Sequence, residues 1–182
     1  ANLAWYAVER SHIDLSKNLR KKWQENRDLA IIREIQFDEE RKKVFAILNQ
    51  TKIKYMPLKG IVMKTFYPEV GMRWMSDNDI LYEVQYQNRL KEDMTSLGFE
   101  TVSLKGAHDV FQKPPIFNFE MHKILLPEDN QYGWYYQDVW KKANQSGENL
   151  YEYELPIEDF YVYMVLHFNK HMTGSGSGVR NL

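Results

Sequence analysis

The stretch Arg73-Trp74-Met75-Ser76-Asp77-Asn78-Asp79-Ile80-Leu81-Tyr82 decides how this chain is read. A polar run ends in an apolar triplet, and two aspartates two residues apart lead into it. Ile80-Leu81-Tyr82 predicts a short buried strand. Alternate side chains of a strand share a face, so Asp77 and Asp79 point the same way, with Cα atoms roughly 6–7 Å apart. Like charges held that close repel, which makes the arrangement costly without a cation. Hard oxygen donors on a rigid strand suit Mg2+, which uses few carboxylates and leaves positions for phosphate oxygens. An isolated Asp-x-Asp is equally the mark of a solvated turn, so the flanking sequence has to decide.

Upstream, Ile53-Lys54-Tyr55-Met56-Pro57-Leu58 reads as a strand that ends at Lys59-Gly60. Ile61 to Phe66 predicts a short helix stopped by Tyr67-Pro68. Backbone N–H groups at such a junction favour anions; Gly60 admits a phosphate close to the backbone, and Lys59 supplies a neutralising charge. The same junction is also ordinary strand-to-helix punctuation. Downstream, Ile116-Phe117-Asn118-Phe119-Glu120-Met121-His122 alternates apolar and polar residues. The apolar set faces a core, and Glu120 and His122 point away from it. Two readings follow: a solvated sheet face, or a cleft in which Glu120 is a third metal ligand beside Asp77 and Asp79.

The rest of the chain frames these segments. From Asp14 to Asn49 there is no Pro or Gly, which predicts helix with a possible break at Asn26-Arg27-Asp28. Leu15, Leu19, Trp23, Leu29, Ile32, Ile35, Val44, Ile47 and Leu48 form its expected apolar stripe. Arg20-Lys21-Lys22 and Arg41-Lys42-Lys43 are interleaved with acids and belong on solvated faces. Tyr86 to Leu97 predicts a helix closed by Gly98. Phe99 to Leu104 and Asp109 to Lys113 are further strands, with Pro114-Pro115 leading into the strand from Ile116. Trp134 to Ala143 and Glu158 to His171 return to helix. The expected class is α+β: a small mixed β-sheet core over residues 51–130, an N-terminal helical region over 1–50, and C-terminal helices over 131–182. The Gly-Ser tail from Thr173 to Gly178 predicts a loop in a chain truncated soon after it.

Composition sets the outer limits. The 182 residues are 43% hydrophobic and 27% charged, with 24 basic against 25 acidic residues. Disorder and fibrous classes are excluded by this balance. A formal charge of −1 gives no reason to expect a partner as polyanionic as a long nucleic acid. With no cysteine there is no disulfide, thiolate zinc site or cysteine nucleophile. Apolar runs are far short of a membrane span, and no signal-peptide pattern precedes Asn2. A cytoplasmic setting is the expectation.

Taken in order, Pro57-Leu58-Lys59-Gly60, Tyr67-Pro68, Arg73 with Ser76-Asp77-Asn78-Asp79-Ile80-Leu81, Phe119-Glu120-Met121-His122, Asp138-Val139-Trp140, and His167 with Lys170-His171 resemble the DNA polymerase β-like nucleotidyltransferase superfamily. Within it, the series is most similar to a poorly characterised bacterial branch, the "nucleotidyltransferase family protein" group. The resemblance implies transfer of a nucleoside monophosphate from an NTP, with ATP the guess, to an unidentified acceptor hydroxyl on a small molecule or protein. It also implies two Mg2+ ions, or Mn2+ in their place, on Asp77, Asp79 and Glu120 as catalytic and metal-binding residues. Lys59, Gly60 and Arg73 would contact phosphate. Two departures stand out: the wider superfamily has Gly-Ser where Lys59-Gly60 stands, and Asn78 occupies a position that is typically apolar.

Other candidates carry competing readings. Arg73 serves either phosphate or a loop ion pair. Trp74 is expected in the core rather than stacked on a base. His122, His167 and His171 are possible cleft-lining residues; His167 and His171 have the i, i+4 spacing of a zinc pair but lack the glutamate of the zinc-protease motif. Tyr132, Trp134, Tyr135, Tyr136 and Trp140 are expected to pack rather than stack on nucleic acid. The rival functional classes are a degenerate nucleotide-binding protein and a helical interaction module without catalysis.

Overall fold

A computed structural model gives the fold for residues 2–11, 13–127, 130–146 and 149–173. The chain opens with α1 (Asn2–Ser11) and α2 (Lys17–Gln50), followed by β1 (Tyr55–Pro57), α3 (Lys59–Met63) and a 3-10 turn over Lys64–Phe66. Then come β2 (Asn78–Tyr82), α4 (Gln87–Ser96), β3 (Glu100–Ser103), β4 (His108–Lys113) and β5 (Phe117–His122). A 3-10 turn over Gly133–Tyr136, α5 (Val139–Lys142), the two-residue strands β6 (Asn144–Gln145) and β7 (Tyr153–Glu154), and α6 (Ile157–Thr173) complete it. The expected α+β class holds, with a five-stranded sheet in the order β1-β2-β5-β4-β3. Only β2 and β5 run parallel; the other neighbours are antiparallel.

Strand alternation gives the sheet two packed faces. Ile80, Tyr82, Phe111, Phe119 and Met121 meet Val44 and Leu48 of α2 and Leu90 and Met94 of α4. Met56, Leu58 and Leu81 meet Tyr136, Val139, Leu155, Phe160 and Tyr163 on the other side. The second face is thus roofed by α6 and the segment before it, and it is the face that carries the acids.

Helix α2 runs unbroken through Asn26-Arg27-Asp28, with Ser16 accepting the Leu19 N–H at its start. Its buried face keeps Val44 and Leu48 of the stripe expected from sequence but departs from that stripe before Phe37. Ala30, Phe37, Arg41, Val44 and Leu48 are buried, whereas Leu29, Ile32 and Ile35 are 62%, 53% and 52% exposed. At 3.6 residues per turn, Ile32 and Ile35 lie about 140–160° around the helix from Ala30 and Phe37. Arg41 is likewise under the sheet rather than on a solvated face. Tyr135, Tyr136 and Trp140 pack as expected, but Tyr132 and Trp134 are exposed, and the single helix predicted over 134–143 is divided into a 3-10 turn and α5. The Gly-Ser tail from Gly174 lies outside the described residues. No helix among the described residues is long and apolar enough to cross a membrane.

Candidate active site

Register brings the acids together. Asp79 on β2 is the Cα partner of Glu120 on β5, and Leu81 is the partner of His122. Partners in a parallel pair project to the same face. Asp79, Glu120 and His122 therefore form one cluster, and their ligand atoms all lie within 4.8 Å of one another. His122 Nε2 is 2.8 Å from Asp79 Oδ1 and 3.8 Å from Glu120 Oε2. His122 is 7% exposed, so it is neither solvated nor half-exposed.

Lys59 joins this cluster from the opposite side. Its Nζ donates to Asp79 Oδ1 at 2.6 Å and lies 3.4 Å from His122 Nε2. The turn that delivers it is strained at Lys59 rather than at Gly60. Lys59 has φ +42°, a left-handed conformation that side chains disfavour and that recurs at functional sites. Gly60 has an ordinary φ, and a Cβ there would meet Met75 atoms at 3.4 Å, so a methyl group would need only slight adjustment. Part of the expected backbone anion cradle is already engaged, because the Ile61 N–H turns back to the Leu58 carbonyl at 3.1 Å.

Asp77 stands outside the tight cluster but within its field. Its carboxyl is held above the ordinary aspartate range by burial first, then by the negative charges of Asp79 and Glu120, with Lys59 opposing. Asp79 goes the other way. Burial alone would raise it, but the His122 hydrogen bond and the Lys59 ammonium outweigh that and hold it at about 2. Burial lowers His122, against the pull of its hydrogen bond to Asp79. The site at neutral pH is therefore an ionised Asp79 beside a neutral imidazole.

The remaining expected residues are distributed unevenly. Arg73 sets its guanidinium 5.9 Å from the Tyr67 ring and helps line a small hollow with Glu34, Phe37 and Asp38 of α2. Trp74 is 44% exposed with the Arg33 guanidinium 4.6 Å over its ring, so it is a surface residue and not core. His167 lies on α6 with its ring 6.2 Å from that of Tyr163. The side chain of His171 lies outside the described residues. Asn78 points away from the aspartates, as strand alternation requires, into a buried hydrogen bond with Arg41.

Two further neighbours carry no signal in the local sequence. Tyr163 of α6 is fully buried, and its hydroxyl is pushed well above the usual range by burial and then by Asp79, Tyr136 and Glu120. His108 of β4 is the register partner of His122, with ring centroids 5.2 Å apart, and its Nε2 is 3.9 Å from Glu120 Oε2. Only the hairpin points to His108. A tight turn at Pro114-Pro115 that pairs Lys113 with Phe117 also pairs position 108 with position 122.

A divalent cation fits these donors. The carboxylates of Asp79 and Glu120 are hard oxygen ligands, and His122 adds a nitrogen. Asn118, two residues before Glu120 on β5 and so on the same face, has a buried Oδ1 with no hydrogen-bond partner. A further cavity of about 470 Å³ lies between α3, β7 and the start of α6, walled by Ile61, Phe66, Tyr153 and Phe160. None of Asp77, Asp79 or Glu120 lines it, so it is separate from the acidic cluster.

Among known proteins, the model of a family described as an uncharacterised nucleotidyltransferase matches residues 1–182. No curated protein and no solved structure matches the chain.

Proposed function

Because the chain belongs to this uncharacterised nucleotidyltransferase family, we propose that it is a Mg2+-dependent enzyme of the DNA polymerase β-like kind. It moves a nucleoside monophosphate from an NTP, ATP in the first instance, to a hydroxyl on a small-molecule or protein acceptor. The observation that carries the reading is the register pairing of Asp79 with Glu120, with Asp77 in the field of both.

In this proposal Asp77, Asp79 and Glu120 hold the metal, and His122 and Asn118 border it. Bound there, divalent ions supply activation of the acceptor oxygen and charge neutralisation on the triphosphate. The chain's own groups do the rest. Lys59 brings a fixed positive charge to the edge of the acids. His122 keeps Asp79 ionised and fixes which of its oxygens is committed to the protein. Tyr163 and α6 close the face, so charge inside it is weakly screened.

Thermal unfolding with ATP, with and without Mg2+, tests this. Wild-type protein should gain about 2.7 kcal/mol at a hundredfold excess over Kd. The gain should require Mg2+ and vanish in an Asp77→Asn/Asp79→Asn double variant. No response to any of the common NTPs would overturn the proposal and favour a helical interaction module.

A further inference from the structure

The segment between α3 and β2, which carries Asp77, lies along one polar ridge of α2. Gly71 donates its N–H to Glu34 Oε2 at 2.6 Å, and the Arg33 Nε donates to the Met75 carbonyl at 3.4 Å. Gly71 adopts φ +83°, and a Cβ there would come within 2.8 Å of Ile31 Cγ1, so the loop touches α2 where only glycine fits. Further along the same ridge, Asp38 accepts from both Lys64 and Arg41. Arg41 ends the series: its Nη1 donates to Asn78 Oδ1 at 2.7 Å, with Arg41 6% and Asn78 0% exposed.

We propose that Arg41 is a positioning residue for the acidic site, acting through Asn78 to fix the orientation of Asp77 and Asp79. Asn78 is the residue between the two aspartates, and strand alternation makes its side chain the only one of the three that faces α2. Its carboxamide is therefore the handle by which α2 sets the rotation of the peptide units that aim both carboxylates. The planar fork of arginine lets one guanidinium hold Asn78 and Asp38 together, which an ammonium on a flexible stem does not reproduce. Asp38 in turn holds Lys64, at the end of the helical run that Lys59 begins. The same node thus ties the acid-bearing strand and the lysine-bearing turn to a single helix.

The catalytic sense of this positioning rests on the proposed metal-dependent function; the ordering of the segment does not, and the experiment separates the two. Arg41→Lys keeps the charge and loses the fork. It is compared with wild type, Arg41→Met and Asp79→Asn by amide hydrogen exchange without added metal and by Mn2+ titration followed by electron paramagnetic resonance. Arg41→Lys should raise exchange over residues 71–79 at least tenfold while β4 and β5 amides keep their protection, and should weaken Mn2+ binding several-fold. Arg41→Met should do both more strongly if it remains folded. Unchanged exchange over 71–79 in Arg41→Lys would overturn the proposal, as would increased exchange there with wild-type Mn2+ affinity. If wild type and Asp79→Asn bind Mn2+ equally poorly, the metal-dependent function fails. The local exchange result then shows a strut that orders the loop without serving a metal site, which also overturns the positioning role.

Discussion

Asp79 and Glu120 are direct partners across the parallel β2/β5 pair, although they are forty-one positions apart in the chain. The separation is taken up by α4, β3 and β4, which build the far side of the sheet and return the chain beside β2. A slip of one residue in that register would send Glu120 to the opposite face. Phe119 and Met121, both fully buried, oppose such a slip, so the hydrophobic core on one face sets the acid geometry on the other.

The carboxylate of Asp79 is a structural element as well as a candidate ligand. It is 4% exposed and takes both Lys59 and His122 on one oxygen. Asp79→Ala leaves the partly buried Lys59 ammonium and the His122 N–H without their acceptor and should cost about 3 kcal/mol. Asp79→Asn keeps an acceptor oxygen and should cost less. Urea unfolding of both, beside Asp138→Ala at a side chain 70% exposed, checks the order. If the three variants unfold at the same midpoint, the ion pair is not holding the site together.

Asp77 is predicted to behave in the opposite direction. Burial and the nearby Asp79 and Glu120 charges disfavour its ionised form. Asp77→Asn removes that repulsion and should raise Tm in metal-free buffer by about 2 °C, the shift expected of roughly 0.5–1 kcal/mol in a chain of this size. The same variant should lose the stabilisation given by Mg2+ with ATP. Differential scanning calorimetry under both conditions reads both effects. A gain without metal and a loss with it would be hard to reconcile with a merely solvated carboxylate.

The pH profile follows from the same shifts. The folded-state pKa of Asp79, about 2, lies below its unfolded value, so its contribution is complete above about pH 4 and is lost as pH falls toward 2. That contribution is on the order of 2 kcal/mol. His122 is also lowered, so the fold favours its neutral form, and stability falls as pH drops below 6.5 through the folded pKa. Asp77 is raised, so its protonation on the way down partly offsets these losses. Urea midpoints at pH 7.5, 6, 5, 4 and 3 should therefore decline in two stages. In His122→Asn the upper stage should disappear and the lower one remain.

The parts of this molecule that are legible in sequence are those in which one residue's chemistry fixes its own place. Gly98, at φ +83°, closes α4 as a helix-ending glycine should. The alternation of Phe117 to His122 gives β5 and the faces of Glu120 and His122 correctly, because a strand has only two sides. Long-range pairing is less accessible. The Asp77-x-Asp79 spacing suggests a pair of ligands, whereas the tight group is Asp79, Glu120 and His122, with Lys59 and His122 sharing one oxygen of Asp79. Trp74 and Arg41 depart from expectation for a common reason. An aromatic ring is covered on the surface by Arg33, and a guanidinium is buried because Asn78 and Asp38 satisfy it; neither Arg33 nor Asn78 is near its partner in sequence.

The apolar residues of α2 yield the last prediction, because the same helix offers two candidate faces. Leu29, Ile32 and Ile35 form a hydrophobic row by type, but each is more than half exposed. Phe37 is 2% exposed, with its ring 5.6 Å from that of Phe117 on β5 and the Arg33 guanidinium 4.7 Å above it. Phe37→Ala should cost about 3–5 kcal/mol, since it removes a buried ring and leaves a cavity between α2 and the sheet. Leu29→Lys and Ile32→Lys should change stability by no more than about 0.5 kcal/mol, because their environment is already water. Equilibrium urea unfolding of the three variants distinguishes the faces. A large loss at Ile32 with little at Phe37 would mean that α2 is rotated by nearly half a turn from the orientation in which Phe37 meets Phe117, and Arg41 could then no longer reach Asn78.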